Sequence, residues 1–156
     1  GPNAEDLEAL REFGLDMRVV SGRIGDASAL KMCYAALNKG VIALMTEIGI
    51  AARRLGVGDR LIAECEQSQP ALLERMRRQV PGMIPKAYRW VGEMQEIART
   101  FEACGLTPLT YEGAAEVYRL VAETPLARVS PEEWAEHGQD FDRVVEALAS
   151  TSFVSD

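Results

Sequence analysis

A proline-free stretch from Ala27 to Leu55 is the feature that most restricts how this chain can fold. It is long enough for about eight turns of α-helix. Asp26 is suited to cap its start, and Gly56 is suited to end it. Its apolar side chains lie on nearly all sides of the helix, which is typical of the central helix of a bundle. The sequence therefore predicts an all-α fold, a helical bundle built on this one long helix.

The rest of the chain is predicted to form further helices with breakers between them. They cover residues 3–13, 58–67, 70–79, 84–104, 110–123 and 131–149. Pro81-Gly82 is expected to end one of them, and Thr110 and Ser130 to cap two others. Residues 15–20 form the only predicted strand. A lone strand cannot pair its backbone groups, so this one suggests a sheet that something outside the chain completes.

Length and charge exclude several classes of protein. The 156 residues fit one domain, or one domain with a short appendage, and the net charge is -7. Binding to nucleic acid or to an anionic membrane needs a concentrated basic surface, so neither partner is expected. Lys39, Glu47 and Arg53 interrupt the apolar runs, so no segment is expected to span a bilayer.

The cysteines and the histidine predict no metal site. The three cysteines are an odd number without a Cys-x-x-Cys pair, which indicates reduced thiols in a cytoplasmic protein. The single histidine, His137, lies in a polar segment, and no serine or cysteine motif accompanies it. We therefore interpret it as a surface side chain and not as part of a catalytic triad.

One stripe of the long helix carries four side chains that could do chemistry: Ser28, Lys31, Tyr34 and Asn38. The neighbouring faces are apolar, and a lysine in such surroundings loses hydration. This loss lowers the pKa of a lysine and suits it to proton transfer. Lys31 is thus a candidate general acid/base with hydrogen-bonding neighbours. The alternative is a lysine that reaches out to the edge of the bundle.

Small residues on the same helix, Gly40 and Gly49 among them, would let another helix approach closely. Each glycine costs about 1 kcal/mol of helix propensity. Two interpretations stay open for these residues: close packing inside the chain, or an interface between subunits.

The segment 86–98 is rich in aromatic and charged residues. Tyr88, Arg89, Trp90 and Glu93 lie within about two turns of a predicted helix. Arg89 and Glu93 are four residues apart, so they form either a surface ion pair or part of a cleft that faces cofactor or substrate. Tyr88 and Trp90 are expected to make core or dimer contacts.

The chain has no dinucleotide-binding motif of its own. Such a motif needs a glycine-rich loop between a strand and a helix. Gly56-Val57-Gly58 is the nearest match, but no predicted strand precedes it, and Leu61 takes the place of the third glycine. We predict that it is a joint between two helices.

Residues 25–35 resemble the start of the interdomain helix in the 6-phosphogluconate and β-hydroxyacid dehydrogenase superfamily, whose pattern is Gly-x-Gly-x-x-x-Lys-x-x-Asn-Asn. Residues 1–22 resemble the tail of that family's nucleotide-binding domain, a short helix–strand remnant of a Rossmann fold. Residues 23–156 resemble its helical C-terminal domain. Segments 27–40 and 86–98 are similar to a subgroup whose C-terminal domain is called phosphogluconate-dehydrogenase-like or a domain of unknown function.

This resemblance implies the C-terminal substrate and dimerisation domain of an NAD(P)-dependent oxidoreductase that acts on a hydroxyacid. Lys31 matches the family's catalytic lysine, which exchanges a proton with the substrate hydroxyl. NADP or NAD would be bound mainly by the N-terminal domain, so this chain alone is expected to be inactive. The resemblance also implies a homodimer formed through the helical domain.

Further site residues follow from the same resemblance. Ser28, Tyr34 and Asn38 are expected to contact the substrate, and Arg89 and Glu93 are expected to face the cofactor. No metal is required.

Three departures separate this chain from a standard 3-hydroxyisobutyrate enzyme. Ala27 replaces the second glycine of the pattern, and Tyr34-Ala35 replaces the paired asparagines. The lysine of the family's later Lys-Asp pair is absent as well. The substrate pocket is therefore expected to differ from that of the standard enzyme.

Two alternative functions stay open. A non-enzymatic helical module for dimerisation or ligand binding would explain the missing cofactor motif, but not the lone strand or the polar stripe around Lys31. A reductase of C=N bonds, similar to imine reductases, is a close relative of the dehydrogenases. Such enzymes often replace the lysine, so Lys31 favours a hydroxyacid or alcohol substrate.

Overall fold

The structure, a computed structural model, describes residues 3–136 and 140–151. Within them the chain forms seven α-helices and three 3₁₀ helices, and no residue lies in a strand, so the all-α prediction is confirmed. The α-helices are α1 (Asp26–Arg54), α2 (Gly58–Ser68), α3 (Pro70–Met83), α4 (Ala87–Ala103), α5 (Leu109–Glu123), α6 (Pro131–Glu136) and α7 (Phe141–Ala149). The 3₁₀ helices are Ala4–Phe13, Ile84–Lys86 and Pro125–Arg128. His137 lies outside the described residues.

The chain divides into two compact units, residues 1–35 and residues 36–156. The boundary falls within α1, so each unit contains part of this helix. The family resemblance predicts a different division, into the tail of a Rossmann domain (1–22) and a helical domain (23–156). That division stays a prediction.

In the first unit, residues 15–20 do not form a strand, contrary to the prediction. Met17 donates its backbone N–H to the carbonyl of Leu15 (2.9 Å), and its own carbonyl accepts from Nε of Arg11 (2.8 Å). A strand needs a neighbouring strand to pair with, and the described residues offer none. Local contacts thus satisfy the backbone groups of Met17, and residues 3–22 do not form the helix–strand remnant of a Rossmann fold.

The start of α1 depends on one glycine and one carboxylate. Gly25 adopts φ +97°, which other residues rarely adopt, and its carbonyl accepts from the N–H of Ala29 (2.9 Å). Asp26 is the first helical residue and not the cap that we predicted. Its carboxylate instead accepts from the hydroxyl of Ser21 (2.6 Å) and from Nε of Arg23 (2.7 Å). These hydrogen bonds favour the charged carboxylate and lower the pKa of Asp26.

Replacing Ser21 by alanine is expected to raise the pKa of Asp26 toward its ordinary value of 3.8, because the Ser21 hydroxyl is the largest cause of the depression. The folded-state pKa is depressed, so the contacts stabilise this turn above the ordinary pKa. The contribution is lost as the pH falls through the folded-state value. NMR titration of the Asp26 carboxyl carbon in both proteins measures the shift. An unchanged pKa in Ser21→Ala would contradict this cause.

In the second unit, α1 packs its buried face against α3 and α7. The buried cluster between these helices consists of Met45, Met76, Val80, Phe141 and Val145. Burying a large apolar side chain contributes about 1.5–3 kcal/mol. Helices α4 and α5 pack along each other. Their fully buried side chains include Met94, Ile97, Tyr118 and Val121.

The glycines of α1 serve packing within the second unit. A Cβ at Gly49 would lie 3.3 Å from Cγ1 of Val145 on α7, and a Cβ at Gly40 would lie 3.1 Å from Cε1 of Tyr111 on α5. Both distances are shorter than the usual contact between carbon atoms. Of the two interpretations of these glycines, close packing inside the chain is the one that these distances favour.

Helix α3 runs through Pro81 and ends at Met83, so Pro81-Gly82 is not the break that we predicted. The proline lies in the last turn, where its missing N–H costs the helix a hydrogen bond. Pro81 is buried, and its carbonyl accepts from the N–H of Ile84 and from Nε1 of Trp134 (3.1 Å). These contacts offset the local cost of the proline.

Two predicted helix starts are also corrected. Helix α4 begins at Ala87 and not at residue 84, because Ile84–Lys86 forms a 3₁₀ turn around Pro85. At the start of α5, the hydroxyl of Thr107 accepts from the N–H of Leu109 (3.3 Å), so Thr110 is not the cap.

The helix predicted over 131–149 is two helices, α6 and α7. Ser130 caps α6 as predicted, since its hydroxyl accepts from the N–H of Glu133 (3.2 Å) and the Glu133 carboxylate accepts from the N–H of Ser130 (3.2 Å). The second helix has a cap of its own: the Asp140 carboxylate accepts from the N–H of Arg143 (2.8 Å). Asp140 thus starts a new helix at a point where the sequence pattern predicts that the helix from residue 131 continues.

Arg53 connects α1, α2 and α7. Its guanidinium pairs with Asp59 (2.6 Å) and with Asp142, and its Nε lies 3.9 Å from the carboxylate of Glu146. Gly58 leaves room for the arginine stem, because a Cβ there would lie 2.7 Å from Cδ of Arg53. One cation therefore holds three carboxylates together at the end of α1.

Replacing Arg53 by methionine is expected to lower the free energy of unfolding by about 1–2 kcal/mol. Methionine keeps an apolar stem but leaves three carboxylates near one another without a cation. Urea unfolding followed by circular dichroism measures the change. Arg60→Met, on the exposed face of α2, is the matched control and should stay within about 0.5 kcal/mol of wild type. Equal losses in both variants would contradict the role of Arg53.

By length and composition, α1 could cross a membrane, contrary to the prediction that no segment could. The two or fewer charges in its most apolar window are too few to exclude it. Of that window, 44% is buried inside the protein. Core helices pass the same test, so the finding assigns no location.

Candidate functional site

The first three predicted site residues lie on the first turns of α1, within the first unit. Ser28, Lys31 and Tyr34 are three residues apart on this helix, and all three are exposed, Tyr34 to 67%. The helical spacing that places them on one stripe is therefore present. Lys31 is exposed to water in this chain. The loss of hydration that would suit it to proton transfer therefore requires another domain or a ligand to cover it.

Ser28 lines a depression of about 220 Å³ in the first unit. The walls are formed by Leu7 of the 3₁₀ helix, by the segment from Met17 to Ser21, and by the start of α1. The predicted substrate-binding serine thus lies at the edge of a concave and mainly apolar surface. Such a surface is the kind that binds small molecules or packs against another domain.

The fourth stripe residue, Asn38, belongs to the second unit and is half-buried. Its Oδ1 accepts from Nη2 of Arg75 on α3 (3.3 Å), and Nε of Arg75 donates to Oε1 of Gln79 (2.6 Å). Sequence reasoning missed Arg75. The four-residue spacing of Arg75 and Gln79 was a signal for the local pair, but the contact with Asn38 spans 37 positions and has no local signal.

Glu93, one of the two predicted cofactor residues, forms an ion pair with Lys39 of α1. Nζ of Lys39 lies 5.1 Å from the centre of the Trp90 ring, a cation–π distance. Arg89, the other predicted cofactor residue, is exposed on α4. Lys39 was not predicted as the partner of Glu93, because the two residues are far apart in the sequence.

Trp90 packs edge-on against Tyr118, with ring centres 5.2 Å apart and planes at 80°. The hydroxyl of Tyr118 donates to the carbonyl of Lys39, and burial raises the pKa of Tyr118. Trp90 therefore makes the core contact that we predicted. Tyr88 is 68% exposed and makes no core contact.

The described residues do not fit a dinucleotide by themselves. Gly56, at φ +70°, and Val57 join α1 to α2, and the N–H of Val57 donates to the carbonyl of Ala52 (2.9 Å). The predicted helix joint is thus confirmed. With no strand in residues 3–136 and 140–151, the strand–loop–helix cradle of a Rossmann fold is not formed there. Nor does any group of three His, Cys, Asp or Glu side chains in these residues suit a metal ion.

An apolar face of α1 is left open in the second unit. It exposes four large side chains at intervals of seven, four and seven residues: Leu37 (60%), Leu44 (55%), Ile48 (43%) and Leu55 (75%). We call these four residues the apolar seam. Beside it, a groove of about 320 Å³ runs between α1 and α5, with Gly40 and Gly113 among its walls. Steps of four and seven residues return to the same side of an α-helix, so the four side chains lie on one face, as side chains at a contact between two helices do.

Residues 52–121 match the family model described as "Domain of unknown function (DUF1932)". The "Uncharacterized 28.5 kDa protein in 7S RNA 5'region" of Methanothermus fervidus is 26% identical to this chain over 124 residues. The alignment covers 79% of this chain and 49% of that protein. The chain thus spans about half the length of the curated relative it matches.

The family match covers α2, α3 and α4 and the end of α1, and it continues to Val121 in α5. It includes Arg75, Arg89 and Glu93, whereas Lys31 lies before it. The match therefore does not test the stripe on α1. Over residues 52–121, fewer than half of its 156 residues, the chain is similar to this domain of unknown function.

Proposed function

We propose that this chain is the helical C-terminal domain of an NAD(P)-dependent oxidoreductase that acts on a hydroxyacid, with Lys31 as the general acid/base. The observation that carries the proposal is the start of α1. Gly25, which matches the family's first glycine, adopts φ +97°, and Lys31 follows it on an exposed stripe of the helix. The glycine is thus needed for its backbone conformation, and the lysine is accessible to a substrate.

In the oxidation direction, the substrate hydroxyl gives its proton to Nζ of Lys31, which must be neutral to accept it. The resulting ammonium stabilises the alkoxide character that develops on the substrate oxygen. Ser28 and Tyr34, each about one helical turn from Lys31, offer hydroxyl groups that hold the substrate in place. NAD(P), when bound, supplies the hydride chemistry.

Lys31 needs a drier environment than the first unit gives it. A neighbouring nucleotide-binding domain that closes over the start of α1 would exclude water and strengthen each electrostatic contact there. We place the cofactor mainly on that domain. Arg89, exposed on α4, is the arginine that we propose contacts its phosphates. Glu93 is the second residue that we propose faces the cofactor. Its negative charge is partly balanced, because it forms an ion pair with Lys39.

We also propose that the protein is a homodimer in which the apolar seam is covered by a second copy. Four exposed large side chains on one helix face form a patch on the order of 400 Å², which is as large as the largest apolar patch of a typical monomer, a patch that is often functional. The seam and the neighbouring groove are in the same unit, so one partner helix could cover both. We further propose a cytoplasmic location, because the sequence has three cysteines, an odd number, and no Cys-x-x-Cys pair.

The seam is also the one observation that favours the second candidate function, a non-enzymatic dimerisation module. A dimer interface needs neither Lys31 nor a cofactor. The two functions differ in whether the protein that carries both domains turns over a substrate.

The experiment that tests the proposed function uses the full-length gene product. Absorbance at the reduced-nicotinamide band is followed with a panel of 3-hydroxyacids, sugar acids and cyclic imines. Turnover of a 3-hydroxyacid or sugar acid is the expected result. Turnover of imines alone would replace the dehydrogenase assignment by a reductase one. A stable dimer without turnover would favour the dimerisation module.

A further inference from the structure

The apolar seam is too small to hold a stable dimer by itself. Its four side chains expose a surface on the order of 400 Å², whereas a stable interface between two proteins buries about 800 Å² on each partner. A second copy that covers the seam must therefore cover about as much surface again. The groove between α1 and α5 is the concave surface that adjoins the seam, because Leu37 and Leu44 of the seam also line the groove.

The groove is lined by small residues and has room for side chains from outside. Gly40 and Ala43 lie on its α1 wall, and Gly113 and Ala114 lie on its α5 wall. A Cβ at Gly113 would meet nothing within 4 Å, so the chain itself does not fill the space over this glycine. Apolar side chains that enter such a groove give its lining the van der Waals contacts that it otherwise lacks.

The position of Glu47 shows which side chains the groove accepts. This exposed carboxylate lies at the end of the groove's α1 wall, seven residues from Gly40. Seven residues of α-helix correspond to about 10 Å. The carboxylate can therefore stay in water at the rim of an interface, where charged groups are usual. The wall around Gly40 is left to an apolar side chain.

A protrusion and a depression lie side by side on this surface. Leu37 and Leu44 are 60% and 55% exposed, and both lie at the edge of the groove. Identical chains most often pair around a two-fold axis, so that the same surface on both copies meets itself. A rotation by 180° can then place the leucines of each copy in the groove of the other. Two such contacts form at once.

We propose that the groove between α1 and α5 receives Leu37 and Leu44 of a second copy, so that the dimer interface extends from the seam onto α5. The proposal rests on the proposed function, because it concerns the partner in the same homodimer. The two glycines of the groove then have different roles. Gly40 makes room for Tyr111 within the chain, whereas Gly113 faces open space and makes room for the second copy.

The test uses Gly113→Leu, with Gly92→Leu on α4 as the matched control. Both glycines are exposed within helices, and a Cβ at either would meet nothing within 4 Å, but Gly92 does not line the groove. Gly113→Leu is expected to raise the dimer dissociation constant by at least about tenfold, because its side chain takes the space of the incoming leucines. Gly92→Leu should leave this constant within about twofold of wild type. Sedimentation equilibrium over a range of concentrations measures each constant.

Two further measurements exclude a simple effect on folding. Leucine favours a helix more than glycine does, so neither substitution should lower the midpoint of urea unfolding of the monomer. Gly113→Ala adds one methyl group and is expected to raise the dissociation constant less than Gly113→Leu does. An effect that does not grow with the size of the side chain at this position would overturn the proposal.

The outcomes separate the groove from the seam and from the enzyme. Weaker association in Gly113→Leu alone would support the groove, whether or not the full-length protein turns over a hydroxyacid. A wild-type dimer that Leu44→Glu dissociates and Gly113→Leu leaves intact would overturn the groove and keep the covered seam. A monomeric wild type would overturn both, and would assign the groove to a partner other than a second copy.

Discussion

With alanine in place of Lys31, the full-length protein is expected to turn over its hydroxyacid about 10²–10⁴ times more slowly, which is the usual contribution of a general acid/base. Most of this loss should appear in kcat. The side chain is exposed on α1 and forms no part of the buried cores. Folding and cofactor binding should therefore stay intact, and cofactor affinity and thermal unfolding can both be measured on the same variant.

The matched control for this variant is Lys86→Ala, an exposed lysine in the 3₁₀ turn before α4. It removes the same charge and should leave kcat unchanged. Unchanged turnover in Lys31→Ala would sink the assignment and direct attention to Tyr34 or Glu93.

The parts of the fold that could be predicted from sequence depend on local physics. The long helix was predicted over 27–55 and is observed as Asp26–Arg54, because its periodicity, the lack of proline and the flanking glycines agree. Ser130 was predicted as a cap because the hydroxyl, the proline and the acidic residues all lie within one turn. Such signals need only a few neighbouring residues to act.

The errors arise where a distant contact outweighs a local preference. Pro81 predicts a helix end, but burial and the hydrogen bond from Trp134, 53 positions away, keep it inside α3. The predicted strand at residues 15–20 is not formed for the opposite reason, since residues 3–136 and 140–151 contain no second strand to pair with it.

The candidate site also combines features that local sequence predicts with features that depend on distant contacts. Helical spacing places Ser28, Lys31 and Tyr34 on one stripe, and the structure has that spacing. The partners that decide how two other predicted residues act come from elsewhere in the sequence: Lys39 for Glu93, and Arg75 for Asn38. A single sequence therefore indicates which residues could take part, whereas the charge state and geometry of the site depend on contacts that only the fold reveals.

The second large effect is expected at the apolar seam. In solution the chain should have about twice its mass of 17.1 kDa, and Leu44→Glu should reduce it to that of one copy. Leu44 is 55% exposed in the middle of the seam, so a glutamate there meets water in the monomer but would be buried in the dimer. The cost of burying an unpaired carboxylate is expected to raise the dimer dissociation constant by at least about 10²-fold. Light scattering coupled to size-exclusion chromatography measures both masses.

The control for this experiment is Leu106→Glu, because Leu106 is 57% exposed but lies outside α1, in the loop before α5. It adds the same charge at a similarly exposed leucine and should leave the dimer intact. Leucine and glutamate have similar helix propensities, so Leu44→Glu should unfold in urea like a stable monomer. A wild-type chain that stays monomeric at high concentration would refute the covered seam. Equal dissociation by both variants would show that charge, and not the position of Leu44 on the seam, controls assembly.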